Sequence, residues 1–347
     1  MEKISLGNSG LAVSKICLGT MTFGEQNSEA DAHSQLDLAL ERGINFIDTA
    51  EMYPVMPRAE TQGRTEQYIG SWLKKSGRRG DIILATKAAG PSRGISWIRS
   101  GQSDFDAASL RSAVDASLKR LQTDYIDLYQ LHWPSRNAPI FGQTAFDPGK
   151  ERPSVAIEET LAALDELVKA GKIRQIGVSN ETPWGVAEFI KQAETRGLPR
   201  IVSIQNAYSL VNRSFENGLD EVCFREHVGL LAYSPLAFGQ LSAKYIDNPR
   251  ASGRLTLFPP NWSPRYLRPA VTEAARRYAA LARANGMTPA QLALAWCYSR
   301  WFVASTIIGA TTLTQLREDI GALSIRLPEQ VVDAVNAIHR EITNPAQ

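Results

Sequence analysis

Apolar residues along this chain fall into two alternating patterns: short, β-branched runs and longer stretches with a helical period. The runs are Lys15-Ile16-Cys17-Leu18, Asn45-Phe46-Ile47, Ile82 to Thr86, Ile126 to Leu131, Ile173 to Val178, Ile201 to Gln205, Leu230 to Tyr233 and Ser305 to Ile308. They read as eight strands. Helical spacing predicts crossovers over Ser28–Glu41, Thr65–Lys75, Asp106–Leu121, Val155–Ala170, Pro183–Thr195, Phe215–Glu226 and Thr312–Leu323. Pro269–Asn285 and Pro289–Arg300 predict a helical pair before the eighth strand, and Pro328–Glu341 an extra carboxyl-terminal helix. The stretch Lys3 to Ile16 alternates around Gly7-Asn8-Ser9-Gly10 and predicts an amino-terminal β-hairpin.

Eight strands with helical crossovers predict an α/β fold, a (β/α)8 TIM barrel. An open doubly wound sheet would carry a Gly-rich dinucleotide turn after its first strand, and none is present. No Gly/Ser linker, charge block or low-complexity stretch marks a boundary, so residues 1–347 are expected to form a single barrel domain with inserted loops. Three connections are long: 54–64, 88–105 and 135–154. All follow strand carboxyl ends, the face on which barrels carry their chemistry. Trp97, Trp133, Phe141 and Phe146 in these loops predict an apolar, aromatic-lined entrance.

Composition narrows the function classes. At 44% hydrophobic and 21% charged, 347 residues are ordinary globular material, and a net charge of +2 argues for neither a nucleic-acid nor a membrane partner. Met1-Glu2-Lys3-Ile4-Ser5 has no apolar signal core, and no run approaches membrane-spanning length. Cys17, Cys223 and Cys297 are an odd number without metal-like spacing, which predicts reduced core thiols and a cytoplasmic location. None of the four histidines forms a pair at metal spacing, so no metal site is expected. A Gly-x-Ser-x-Gly elbow and a phosphate loop are both absent. Oligomeric state is not readable from these features.

Four polar residues sit at or just past strand ends: Asp48, Tyr53, Lys87 and His132. In a closed parallel barrel such residues converge. Reduction of a carbonyl leaves an oxyanion that needs a proton. A tyrosine can supply it, and a nearby cation lowers its pKa from about 10. Lys87 is the candidate cation, Asp48 the group that holds it, and His132 the hydrogen-bonding clamp for the carbonyl oxygen.

The blocks Leu18-Gly19-Thr20-Met21-Thr22-Phe23-Gly24, Phe46 to Tyr53, Leu121 to His132, Gly171 to Asn180 and Ala232-Tyr233-Ser234-Pro235-Leu236 resemble the aldo-keto reductases, and most closely the bacterial Tas-type members. The resemblance runs from the hairpin to the terminal helix. It implies a carbonyl reductase in which Tyr53 is the acid–base residue, Lys87 and Asp48 tune it, and His132 positions the carbonyl. It implies a nicotinamide cofactor, NADP(H), bound without a Rossmann fold. By the same resemblance Thr20, Met21 and Asp48 border the cofactor, Ser179, Asn180 and Gln205 meet the carboxamide, and Tyr233 stacks under the nicotinamide. The cofactor's phosphate and adenosine end is implied at Ser234, Pro235, Leu236, Gly239, Leu241, Lys244 and Arg254, and at Gly309, Ala310, Thr311, Gln315, Glu318 and Asp319. Arg254, in Gly253-Arg254-Leu255, is the expected 2′-phosphate contact, because a guanidinium matches phosphate geometry. Relative to the family, Pro54 replaces a frequent Gly after the tyrosine, and Asp319 stands where Asn is frequent. The potassium-channel β-subunits resemble the same family, so a cofactor-sensing regulatory subunit is the alternative function.

Overall fold

A computed structural model describes residues 1–91, 94–101 and 103–347. Ten strands follow in chain order: β1 (Lys3–Ser5), β2 (Ala12–Ser14), β3 (Ile16–Gly19), β4 (Phe46–Asp48), β5 (Ile83–Ala88), β6 (Ile126–Leu131), β7 (Ile173–Ser179), β8 (Ile201–Ala207), β9 (Gly229–Tyr233) and β10 (Val303–Ile308). β1 and β2 pair antiparallel, Ile4 opposite Val13. β3 to β10 are parallel and close into a barrel in sequence order, with β10 returning to β3. The eight predicted strands and the hairpin are thus present, and the fold is the (β/α)8 barrel.

Helices α1 (Glu29–Glu41), α2 (Arg64–Ser76), α3 (Ala107–Leu121), α4 (Ile157–Lys169), α5 (Pro183–Arg196) and α6 (Leu219–Arg225) make the first six crossovers. The seventh connection holds α7 (Lys244–Asp247), α8 (Arg254–Leu257), α9 (Pro269–Ala284) and α10 (Pro289–Tyr298), and α11 (Leu313–Gly321) and α12 (Glu329–Glu341) close the chain. Local chemistry sets the ends. Ser28 and Asp31 form a reciprocal capping box on α1, and Thr288 with Gln291 forms another on α10. The helix expected over Phe215–Glu226 is shorter: Ser214–Glu216 is a 3-10 turn, and Gly218, at φ +93°, breaks the chain direction before α6. Spacing alone does not register a left-handed residue.

Strand alternation decides what fills the barrel. Cys17, Phe46, Ala85, Leu128, Val202, Leu231, Ala304 and Ile307 pack together inside it, with hairpin residues Leu6 and Val13 against them. Two residues further along the same strands, the inward positions turn polar: Asp48 after Phe46, Lys87 after Ala85, Gln130 after Leu128, and Tyr233 after Leu231. The amino-terminal half of the barrel is therefore an apolar plug and the carboxyl-terminal half a polar floor. Among the described residues, no helix is long and apolar enough to cross a membrane.

Candidate active site

The polar floor is centred on a buried ion pair. Lys87 Nζ lies 2.6 Å from Asp48 Oδ2 and donates also to the carbonyl of Thr49, at 2.7 Å. Asp48 Oδ1 accepts from Gln130 Nε2 (3.1 Å) and Gln205 Nε2 (2.9 Å), and Gln205 donates as well to Gln130 Oε1 (3.1 Å). The carboxylate is thus saturated by one cation and two amides, the arrangement that makes a buried charge tolerable. Burial opposes the Lys87 ammonium, but Asp48 and Tyr53 outweigh it and hold its pKa above the ordinary lysine value. Gln130 is the central residue that sequence reading missed. Its signal was positional, two residues beyond inward-facing Leu128 on β6.

Tyr53 and His132 stand over this floor. The Lys87 ammonium sits 4.9 Å from the centroid of the Tyr53 ring, and the His132 ring meets that ring edge-on at 5.7 Å. The Tyr53 pKa is raised: burial pushes it up, Lys87 pulls it down, and Asp48 adds to the rise. Sequence reading expected Lys87 to set a lowered value. In the folded chain desolvation is the larger effect, and the hydroxyl keeps its proton at neutral pH.

One cleft of about 890 Å³ opens above these residues. Asp48, Tyr53 and His132 line it, with Thr20 and Met21 beside them, while Lys87 lies beneath, reached through Asp48. Ser179, Asn180, Gln205 and Tyr233 form the next stretch of wall. The Tyr233 hydroxyl donates to Asn180 Oδ1 at 2.7 Å, and Asn180 Nδ2 donates to the carbonyl of His132 at 2.9 Å. Further along lie Ser234, Pro235, Leu236, Gly239, Lys244 and Arg254, and across from them Gly309, Thr311, Gln315, Glu318 and Asp319. Leu241 and Ala310 do not line the cleft. Both are buried in the surrounding core, Leu241 2% and Ala310 3% exposed.

The far end of the cleft is cationic. Burial lowers the Lys244 pKa first, and Arg254 lowers it further. Among the described residues neither has a carboxylate within ion-pair distance. A Cβ at Gly253 would collide with Lys244 Nζ, and one at Gly309 would fall 3.4 Å from Arg254 Nη2, so glycine backbone comes close to each cation. Two unneutralised cations beside bare backbone fit a phosphate. Asp319, buried in the adjoining wall, has its pKa pushed up to about 8 by burial and by Glu318.

The loops behave unequally. Val55 and Pro57 from the first, with Met52 beside it, Ile95 from the second, and Phe141 from the third, with Trp133 beside it, form an apolar rim. Trp97 and Phe146 point to solvent instead, 37% and 57% exposed. The longest connection, 234–268 after β9, went unmarked in the sequence because short helical turns disguise it. It supplies Phe238, Trp262 and Arg265 to the cleft.

Residues 15–340 match the model of the Aldo/keto reductase family. Over 348 aligned residues, covering 100% of both chains, the sequence is 51% identical to Protein tas of Escherichia coli. It is 31% identical to the NADH-specific methylglyoxal reductase of the same organism, over 95% of each chain. It is also 31% identical to norsolorinic acid reductase stcV of Emericella nidulans, over 93% of this chain and 78% of that one.

Proposed function

The chain belongs to the aldo/keto reductase family and is an NAD(P)H-dependent oxidoreductase, and from that premise we propose that it reduces aldehydes and ketones with NADPH, using Tyr53 as general acid and base. The observation that carries this reading is the buried Lys87–Asp48 pair directly beneath Tyr53.

The bound nicotinamide supplies the hydride that reduces the carbonyl carbon. Tyr53 gives its phenolic proton to the substrate oxygen, and burial keeps that proton in place until it is needed. Lys87 stabilises the tyrosinate that remains, and Asp48 keeps the ammonium charged and aimed. His132 hydrogen-bonds the carbonyl oxygen and orients it. Gln205 commits both amide hydrogens to Asp48 and Gln130, which leaves its Oε1 to accept from the carboxamide. Ser179 and Asn180 border the same position, and Tyr233 offers its ring to the nicotinamide. Lys244 and Arg254 are assigned to phosphate, Arg254 to the 2′-phosphate that separates NADPH from NADH. Met52, Val55, Ile95, Trp133 and Phe141 favour an apolar substrate body and keep water from the reacting atoms.

Steady-state NADPH oxidation with a panel of aldehydes tests the reading. Sustained turnover that disappears in Tyr53→Phe, while NADPH still quenches protein fluorescence, is the expected result. One slow turnover with cofactor retained, or an active Tyr53→Phe, would overturn it.

A further inference from the structure

We propose that Arg265 is a specificity residue that pairs with a carboxylate carried by the carbonyl substrate, an inference that rests on the cleft being a carbonyl-reducing site. Arg265 lies in the helical turn Pro264–Leu267 and is only 7% exposed, yet it lines the cleft. Its stem packs on the opposite wall: a Cβ at Gly142 would stand 3.4 Å from Arg265 Cβ. Its Nη2 is 3.5 Å from the Tyr233 hydroxyl, and its guanidinium carbon is 4.8 Å from the centroid of the Tyr266 ring. Through Tyr233 and Asn180 it is two side chains from His132. That chain ends at the backbone carbonyl of His132, so Arg265 borders the Tyr233 side of the cleft.

What sets Arg265 apart is charge. Five other sheltered arginines are each spent on an acid: Arg213 on Glu216, Arg99 on Glu51, Arg79 on Asp127, Arg120 on Glu66 and Arg136 on Glu181; Arg254 is not, and it stands at the Lys244 end of the cleft. Among the described residues no carboxylate lies within ion-pair distance of Arg265. Three acids of the cleft are engaged elsewhere, Asp48 with Lys87, Glu25 with Arg58 and Glu318 with the Thr288 hydroxyl, and the fourth, Asp319, has its pKa pushed up to about 8 by burial and Glu318. A guanidinium cannot shed its proton to escape burial. A buried cation without an acid is costly unless an anion arrives. Lys244 and Arg254 serve the other end of the cleft, whereas Arg265 stands beside Tyr233 and is assigned to the substrate. Its planar fork suits a carboxylate, which it can hold with two parallel hydrogen bonds.

The probes are 4-carboxybenzaldehyde and its methyl ester, which share ring and carbonyl and differ in charge. The wild-type chain should prefer the acid in kcat/KM. Arg265→Gln should lose about ten- to hundredfold on the acid, the size of one charge-assisted contact, and little on the ester. Arg265→Lys should retain part of the preference. Equal losses on both compounds would overturn the proposal and make Arg265 a prop for Tyr233. A matching loss in NADPH affinity by fluorescence titration would overturn it too, by assigning the guanidinium to the cofactor. Calorimetric titration of the NADP-loaded protein with 4-(hydroxymethyl)benzoate separates this proposal from the reading beneath it. Binding that depends on Arg265 without turnover of either aldehyde would leave the carboxylate site standing and sink the reductase. Binding indifferent to Arg265 would sink the carboxylate site alone.

Discussion

At the scale of single residues, two buried acids respond to their surroundings in opposite ways. Asp48 is buried against a cation and two amides, so its partner is the group to disturb. Lys87→Met leaves that carboxylate without its cation, which costs about 3 to 5 kcal/mol of stability by the precedent of broken buried pairs. It also removes the one influence that pulls the Tyr53 pKa down. The basic limb of alcohol oxidation, which needs the tyrosinate, should move to higher pH in Lys87→Met. An unchanged limb would refute the tuning role. Among the described residues Asp319 has no such partner, and its pKa of about 8 stands far above the unfolded carboxyl value. The unfolded chain releases this proton near pH 4 and the folded chain holds it until about pH 8. The contribution of this group to stability is therefore fully present below pH 4 and is lost as pH rises to 8, by about 1.4 kcal/mol per unit at most. Asp319→Asn should be more stable than wild type at pH 8 by a few kcal/mol, and similar to it near pH 4. Urea midpoints at the two pH values check this, and an equal difference at both would show that the carboxyl is not held protonated. The substitution of Asp for a frequent Asn was visible in the sequence; its pKa was not, because that depends on how completely α10 and α11 cover it.

Elements explain which parts of the site could be read from the chain and which could not. Strand-end residues were legible, since a run such as Ile83–Ala88 announces both its direction and the residue at its end. Interior polar residues such as Gln130 were not, because which parity of a strand faces inward depends on closure of the sheet. The 234–268 segment was hidden for a third reason: its short turns bury few residues each and give no period. β7 supplies an element-scale test. A Cβ on Gly177 would meet Ser203 Oγ at 2.4 Å and Gln130 Cγ at 3.4 Å. Gly177→Ala should therefore cost about 1 to 3 kcal/mol as overpacking, and slow turnover by shifting the amide that steadies Asp48. Ser203→Ala removes the nearest obstructing atom, so the double variant should recover part of both losses. Strict additivity in melting and in rate would show that the two residues do not collide.

The molecule is a barrel whose long cleft joins two chemically different ends. The tyrosine end is balanced internally, with Lys87 answered by Asp48. The Lys244–Arg254 end is not: burial lowers the pKa of both cations, and Arg254 lowers that of Lys244 further. Folding stability and cofactor binding are consequently coupled most strongly at that end. A ligand present at a hundredfold over its Kd stabilises by about 2.7 kcal/mol. Arg254→Ala should weaken NADPH by about ten- to hundredfold, the value of one charge-assisted phosphate contact. At the same NADPH concentration the stabilisation then falls to about 1.4 or 0.4 kcal/mol. NADH lacks the 2′-phosphate, so the stabilisation it confers should barely change. The free protein should lose little stability, because among the described residues Arg254 has no acid to abandon, and its removal relieves Lys244. Unfolding of wild type and variant, alone and with each cofactor, measures all three quantities. Equal loss for NADPH and NADH would place Arg254 on the shared pyrophosphate. Destabilisation of the free variant would mean that the guanidinium holds the 234–268 segment in place, and the assignment to the 2′-phosphate would fall with either result.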